Sequence, residues 1–139
     1  MERGLSYLVD TNVWLERLLD QERAQEVHDF LDSVPTERLW MTDFTFHSIG
    51  LALTRLKRAD GLLTFVKDAF VDGAVRLCRL EPQDMTDVVI AAQEADLDFD
   101  DAYQYVAALR YDLTLVSFDR DFDRTKRGRK TPAQALVGA

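Results

Sequence analysis

The stretch Leu5-Ser-Tyr-Leu-Val-Asp-Thr-Asn-Val-Trp-Leu15 decides the fold of this chain. Leu5 to Val9 is a short apolar run with aromatic and β-branched members, which is typical of a buried parallel strand. The run stops at Asp10, and the segment Asp10-Thr11-Asn12 can cap the helix that the next apolar residues predict. The stretch therefore predicts a strand that passes through a polar turn into a helix.

The same alternation continues along the rest of the chain. Strands are predicted at Leu39 to Met41, Val75 to Leu80 and Leu113 to Ser117. Apolar spacing predicts helices over Val13 to Leu19, Gln21 to Val34, Thr42 or Asp43 to Arg58, Leu62 to Val71, Pro82 to Ala95 and Asp98 to Tyr111. Asp60-Gly61 is expected to separate two of these helices, and Gly128 and Pro132 punctuate the tail. The alternation predicts an α/β fold, a three-layer α/β/α sandwich with a mainly parallel central sheet, as one domain over residues 1–139.

The composition is that of a globular, intracellular protein. Of the 139 residues, 47% are hydrophobic and 30% are charged, so the chain can bury a sizeable core. Cys78 is the one cysteine, so no internal disulfide is possible, and its apolar neighbours predict a buried thiol. No apolar segment approaches the roughly 18 residues of a membrane span, and the N-terminus lacks the layout of a signal peptide. We therefore expect a cytoplasmic protein with no membrane contact.

The net charge of −8 argues against a polyanionic partner, unless positive charge is concentrated locally. The segment Arg124 to Lys130 provides such a concentration, and it is the candidate surface for contact with a nucleic-acid backbone. Its basic residues are Arg124, Lys126, Arg127, Arg129 and Lys130. The alternative is a solvated tail that only improves solubility.

Acidic residues follow the predicted strands and begin a predicted helix. Asp10 ends the first strand, Asp119 and Asp121 follow the last strand, and Asp100 and Asp101 begin a helix. In a parallel sheet, sites form beyond the carboxyl ends of the strands, so these carboxylates can converge. Carboxylates at close range repel each other, and a hard divalent cation such as Mg²⁺ or Mn²⁺ relieves the repulsion. We expect Asp10, Asp101 and Asp119 to share one metal position, a site suited to phosphodiester hydrolysis.

Each acid also has an ordinary structural interpretation. Asp10 and Asp43 can cap helices, Asp101 can be a helix-start acid favoured by the dipole, and Asp119 and Asp121 can be turn residues.

Other chemistries fit the sequence less well than a carboxylate metal site. The six glycines are scattered, so no phosphate-binding loop is present, and the two histidines lack the spacing of a zinc site.

Three segments resemble the motifs of PIN domains, in the family's order. They are Tyr7-Leu-Val-Asp-Thr-Asn-Val-Trp-Leu15, Phe99-Asp-Asp-Ala-Tyr-Gln104 and Leu115-Val-Ser-Phe-Asp-Arg-Asp-Phe122. The length also resembles that of the single-domain VapC-type toxins of toxin–antitoxin pairs. The resemblance implies a metal-dependent ribonuclease that a small antitoxin protein holds inactive, and a homodimer is expected.

The resemblance also implies roles for individual residues. Asp10, Asp101 and Asp119 match the family's metal-binding and catalytic acids, and Asp121 matches an auxiliary acid that would also bind the metal. Thr11 and Asn12 match polar positions that support the first acid. Ser117, at the end of the last strand, is a further auxiliary candidate.

One position departs from the family's pattern. PIN domains usually carry a Glu in the helix after the second strand, and here Ser48, or else His47, occupies that place. Asp43 and Asp100 are the acids that could compensate. The pattern Phe-x-x-His-Ser resembles that of a PIN subgroup, which favours an active site with a variant set of residues over an inactive one.

Three functions are therefore open. The first is a ribonuclease toxin, and the second is a catalytically weak PIN-like module that binds RNA or a protein partner. The third is a receiver-like phosphotransfer domain, which would need a Lys at a late strand end, where this chain has Ser117-Phe-Asp-Arg instead.

Overall fold

Four parallel strands form the central sheet in the computed structural model, which describes residues 4–138. The strands are β1 (Tyr7–Val9), β2 (Leu39–Thr42), β3 (Arg76–Cys78) and β4 (Thr114–Val116). Their order across the sheet is β3-β2-β1-β4, and all three pairings are parallel. The sheet confirms the predicted α/β class.

Seven α-helices connect and follow the strands among the described residues. They are α1 (Thr11–Leu18), α2 (Ala24–Ser33), α3 (Asp43–Arg55), α4 (Ala59–Val66), α5 (Met85–Ala95), α6 (Phe99–Arg110) and α7 (Pro132–Gly138). A π-helical turn, Lys67–Asp72, extends α4. A 3₁₀ turn, Arg120–Arg124, follows β4 and carries part of the candidate site.

The side chains of β1 show how the sheet builds two hydrophobic layers. Successive residues of a strand point to opposite faces. Tyr7 and Val9 pack into a core formed with α1, α2, α3, α4 and α7, whereas Leu8 packs into a second core formed with α5 and α6. Tyr7 meets Phe30 of α2 edge to face, with the ring centroids 5.2 Å apart. Because both faces are covered by helices, the predicted three-layer α/β/α sandwich is confirmed.

One local prediction was wrong. Asp60-Gly61 does not break a helix but lies in the first turn of α4, where an acidic side chain is favoured by the helix dipole. The interruption comes earlier, because α3 ends at Arg55 and Lys57 adopts a left-handed conformation with φ of 59°. In the tail, for which no element was predicted, Pro132 begins α7, which packs against α2.

The two edges of the sheet differ in how far their strands are covered. Beside β4, Lys130 bridges to Val116, its N–H donates to Leu115 O at 2.8 Å, and its carbonyl accepts from Ser117 N at 2.9 Å. At the other edge, Arg76 and Leu77 of β3 are exposed. No helix among residues 4–138 is both long enough and apolar enough to cross a membrane.

Cys78, at the end of β3, is buried, as the sequence predicted. Burial raises the pKa of its thiol to about 12, and the charge of Asp43 contributes in the same direction. The thiol is therefore a packing group with little nucleophilic thiolate near neutral pH.

Candidate metal centre

The position of β1 between β2 and β4 brings Asp10 to the middle of the carboxyl edge of the sheet. The Asp10 N–H continues the pairing of β1 with β4, donating to Val116 O at 2.9 Å. Asp10 is also the N-cap of α1, as the structural interpretation of this residue predicted. Its side chain is buried, with 6% of the residue exposed.

Four hydrogen-bond donors surround the Asp10 carboxylate. Oδ1 accepts from the Thr11 backbone N–H and from Gln104 Nε2, each at 2.8 Å. Oδ2 accepts from Ser117 Oγ at 2.7 Å and, more weakly, from Asn12 Nδ2 at 3.5 Å. Donors on both oxygens favour the charged form. Burial nevertheless dominates and raises the pKa of Asp10, and the charge of Asp119 adds to the increase.

Beside Asp10, three other carboxylates form the acid cluster. One oxygen from each of Asp101, Asp119 and Asp121 lies within 4.8 Å of the others, which makes this the one such group of potential metal ligands among residues 4–138. Asp101 lies in the first turn of α6. Asp119 caps the 3₁₀ turn after β4, because its Oδ1 accepts from the Asp121 N–H at 2.9 Å.

The protonation of Asp101 shows how crowded the negative charge is. The pKa of Asp101 is raised to about 8, and partial burial is the largest cause. A hydrogen bond to Asp119 and the charges of Asp119, Asp98 and Asp10 act in the same direction. Without a cation, the raised pKa favours the protonated form of Asp101 near neutral pH. Asp10 does not belong to the group of three, but it is near enough for its charge to act on Asp101.

Asn12 and Ser117 join the two halves of the site. Asn12 Oδ1 accepts from the Phe118 N–H at 3.2 Å, and its Nδ2 donates to Ser117 Oγ at 3.3 Å. Ser117 Oγ also accepts from the Asp119 N–H at 3.0 Å and donates to Asp10. These contacts fix the turn that carries Asp119 against the start of α1.

Four other predicted site residues do not belong to the group of three carboxylates that forms the acid cluster. Asp43 Oδ1 accepts from the Phe44 N–H and from the Tyr103 hydroxyl, at 2.8 and 2.9 Å, which places it toward β3. Asp100 is exposed in the first turn of α6. His47 is exposed and Ser48 partly exposed on α3, and neither side chain has a hydrogen-bond partner within residues 4–138.

The basic segment is tied into the structure more than its sequence suggested. Arg124 pairs with Asp121 at 2.9 Å and donates to the carbonyls of Ala95 and Asp96. Arg127 donates to Leu113 O, and Arg129 donates to Ser117 O and pairs with Asp123. The Arg129 side chain is only 12% exposed. Lys126 is exposed and has no ion pair within the described part of the chain, and Lys130 lies beside β4.

Sequence reasoning missed three buried polar residues beneath the site. Gln104 of α6 is 1% exposed, and Thr42 and Thr45 are fully buried at the start of α3. Gln104 Nε2 contacts Asp10 and Thr45, while its Oε1 accepts from Thr42 Oγ1 at 2.6 Å. The signal was available, because Gln104 is the one strongly polar side chain in the apolar run Tyr103-Gln-Tyr-Val-Ala-Ala108.

The donor set of the acid cluster fits a hard divalent cation. All three ligands are carboxylate oxygens, which suit Mg²⁺ or Mn²⁺, and no histidine or cysteine lies in the group. The raised pKa of Asp101 indicates negative charge that the protein's own cations leave uncompensated. An acidic site at the carboxyl edge of a parallel sheet, with oxygen ligands alone, is typical of α/β domains that bind a divalent cation.

Comparison with known proteins identifies the family. The PIN domain family matches residues 7–128, and the chain belongs to this family, whose members are generally metal-dependent nucleases. No curated protein matches the chain in sequence.

Three solved structures share the fold. A toxin–antitoxin complex from Klebsiella pneumoniae is similar with 20% identity and a TM-score of 0.73, over 91% of this chain and 98% of that chain. FitAcB from Neisseria gonorrhoeae is similar with 22% identity and a TM-score of 0.71, over 91% and 97%. PAE2754 from Pyrobaculum aerophilum is similar with 26% identity and a TM-score of 0.65, over 97% and 96%.

Proposed function

We propose that this protein is a Mg²⁺- or Mn²⁺-dependent endoribonuclease and the toxin of a toxin–antitoxin pair. The observation that supports this most directly is the acid cluster of Asp101, Asp119 and Asp121, with its oxygens within 4.8 Å of one another, beside the buried Asp10. Asp101, Asp119 and Asp121 would hold the ion. Asp10 would add its negative charge from its buried position beside the cluster. It would become a direct ligand by releasing the weak contact with Asn12.

The protein's own residues prepare the site for a phosphodiester. When bound, the ion would supply a Lewis acid for a phosphoryl oxygen and would lower the pKa of a water molecule. Asn12 and Ser117 hold the Asp119 turn in place, so the ligands need little rearrangement. Because Asp101 keeps its proton near neutral pH, binding of the cation would release that proton.

RNA is the proposed substrate, and the basic segment is proposed to contact its backbone. Lys126 is the most available cation of this segment, since it is exposed and unpaired among the described residues. Arg124 and Arg127 keep side chains that are 44% and 39% exposed, so each can reach a phosphate while its internal bonds persist. Arg129 and Lys130 would contribute mainly through their charge.

The proposed protein partner is a small antitoxin. This rests on similarity to a toxin–antitoxin complex from Klebsiella pneumoniae, whose chain is matched over 98% of its length. A homodimer and a cytoplasmic location belong to the same proposal, since the antitoxin and the RNA would be met in the cytoplasm.

A second candidate function is a catalytically weak PIN module that binds RNA or a protein. Two observations favour it. Ser48 stands where the family usually has a Glu, and the carboxylate of Asp121 is already paired with Arg124. Both reduce the negative charge available to a cation.

RNA cleavage by the purified protein separates the two candidates. The nuclease should cut single-stranded RNA, stop with EDTA and resume with Mn²⁺. Asp119→Asn keeps the acceptor for the Asp121 N–H but loses the charge, so it should abolish cleavage. Asp87→Asn, at an exposed position of α5, is the matched control and should cut normally. Binding of Mn²⁺ and RNA without cleavage would support the weak module.

A further inference from the structure

We propose that Gln104 is a positioning residue that orients the Asp10 carboxylate and turns the hydrogen of the Thr11 hydroxyl outward, where it donates to an anionic oxygen of bound RNA. The inference rests on the proposed function for the identity of that ligand. Five buried or half-buried polar groups form one connected set of hydrogen bonds here, and counting their donors and acceptors fixes the direction of each bond.

The orientation of the Gln104 amide follows from Asp10 and Thr42. The group facing Asp10 Oδ1 at 2.8 Å must be the NH₂, because a carbonyl oxygen there would face a carboxylate oxygen with no hydrogen between them. Thr42 Oγ1 already accepts from the Thr45 N–H at 3.0 Å, so its own hydrogen is free to donate to Gln104 Oε1. Both neighbours therefore select the same orientation.

The second hydrogen of the amide determines the direction of the next bond. Gln104 Nε2 donates it to Thr45 Oγ1 at 2.9 Å. Thr45 is fully buried, so a hydroxyl hydrogen without an acceptor would be costly there. The acceptor within reach among residues 4–138 is Thr11 Oγ1, at 2.9 Å. Thr45 therefore donates to Thr11.

Thr11 is the last hydroxyl of this chain of hydrogen bonds. Its oxygen accepts from Thr45, and its own hydrogen has no acceptor within the described residues. Thr11 is partly exposed and directly follows Asp10, at the edge of the sheet where the acid cluster lies. A hydroxyl held with its hydrogen toward solvent is a preorganised donor for a phosphate oxygen.

The role of Gln104 predicts an effect on cation binding that does not depend on RNA. Gln104→Met keeps the length of the side chain but removes both donors, so Asp10 loses one of its fixed contacts. Loss of a residue that orients a metal-site acid should weaken Mn²⁺ binding, measured by electron paramagnetic resonance of free Mn²⁺, by roughly tenfold or more. Gln93→Met, at an exposed position of α5, is the control and should bind as the wild type does. Unchanged Mn²⁺ affinity in folded Gln104→Met would overturn the proposal.

A measurement on the unmodified protein covers the case in which Gln104→Met does not fold. Both side-chain NH₂ hydrogens of Gln104 should exchange slowly with solvent by NMR, whereas those of exposed Gln93 should exchange fast. Fast exchange of either Gln104 hydrogen would contradict the assigned directions.

The role of Thr11 is tested by binding to a short single-stranded RNA, with Ca²⁺ as the cation. Thr11→Val should weaken RNA binding by roughly 3- to 10-fold, the loss of one hydrogen bond, while it keeps the backbone N–H that donates to Asp10. Thr11→Ser keeps the hydroxyl and should restore binding. Thr45→Val should produce part of the same loss, and the double variant Thr11→Val/Thr45→Val should be no worse than Thr11→Val.

The outcomes of the RNA and the Mn²⁺ measurements are distinguishable. Additive losses in the double variant, or full RNA affinity in Thr11→Val, would overturn the assignment of Thr11. If the wild type binds Mn²⁺ but neither binds nor cuts RNA, the proposed function fails. The Mn²⁺ and exchange measurements would then still decide the role of Gln104.

Discussion

Replacing Asp101 with Asn should stabilise the cation-free protein, and the gain should grow with pH. The pKa of Asp101 rises from its ordinary value of 3.8 to about 8 in the folded protein. A carboxyl with a raised folded pKa contributes stability at low pH and loses that contribution as pH increases through the folded pKa. Relative to Asn, the wild type should therefore lose stability from about pH 4 to about pH 8 and then level off.

The size of the gain follows from the shift and from the exposure of the side chain. One pKa unit corresponds to about 1.36 kcal/mol, so the unscreened shift would give roughly 6 kcal/mol. Asp101 is only partly buried, and solvent screening reduces this to about 1–2 kcal/mol. For a chain of this size, we expect Asp101→Asn to raise the melting temperature by roughly 3–8 °C at pH 8.5.

Thermal unfolding in EDTA, followed by circular dichroism from pH 5 to pH 9, measures this directly. Asp100→Asn is the matched control, because Asp100 is exposed in the same first turn of α6 and its loss has the same effect on the helix dipole. Adding Mn²⁺ should reverse the order, since the wild type gains a cation that the variant holds poorly. A difference between wild type and variant that stays constant with pH would refute the reasoning.

Three further predictions concern other parts of the site. Asp10→Asn should abolish cleavage and lower the free energy of unfolding by about 1–3 kcal/mol. The reason is that the NH₂ of the new Asn side chain must face one of the hydrogen-bond donors that surround the Asp10 carboxylate. Equal stability in urea unfolding would contradict this. Arg129→Ala should destabilise the fold by about 1–3 kcal/mol, because Arg129 donates to Ser117 O and pairs with Asp123. Lys126→Ala should leave stability unchanged and flatten the salt dependence of RNA binding. The reverse pattern would make Arg129 the RNA contact and Lys126 the structural residue. Ser48→Glu should tighten Mn²⁺ binding measured by calorimetry, and no change would place Ser48 outside the site.

The fold and the position of the acids could be predicted from the sequence because both depend on local patterns. The run that ends at Asp10 and the run that precedes Asp119 are each visible as a short apolar strand followed by an acid. The rule that parallel strands share a carboxyl edge then brings the two together. The helix α7 could also have been predicted. Thr131 and Gln134 cap each other reciprocally, a signature that Thr131-Pro-Ala-Gln134 displays in the sequence.

The support beneath the site could not be predicted, because it joins distant parts of the chain. Gln104 contacts Thr45 and Asp10 across 59 and 94 residues of sequence, and no local pattern specifies such pairs. The contacts that anchor the basic segment could not be predicted for the same reason. Its sequence shows the charges of Arg124 and Arg129 but not the carbonyl groups that accept from them. That the chain forms a single domain stays a prediction.

The unequal edges of the sheet bear on how the protein resists aggregation. An uncovered strand offers unpaired backbone groups to a strand of another molecule, and proteins commonly guard such edges with charge. Here Lys130 closes the β4 side, so intermolecular strand pairing is left with β3. Arg76 lies on that strand beside the exposed Leu77, Arg79 directly follows the strand, and a second copy would bring the same charges against them. We therefore expect the two arginines to disfavour edge-to-edge pairing of two copies.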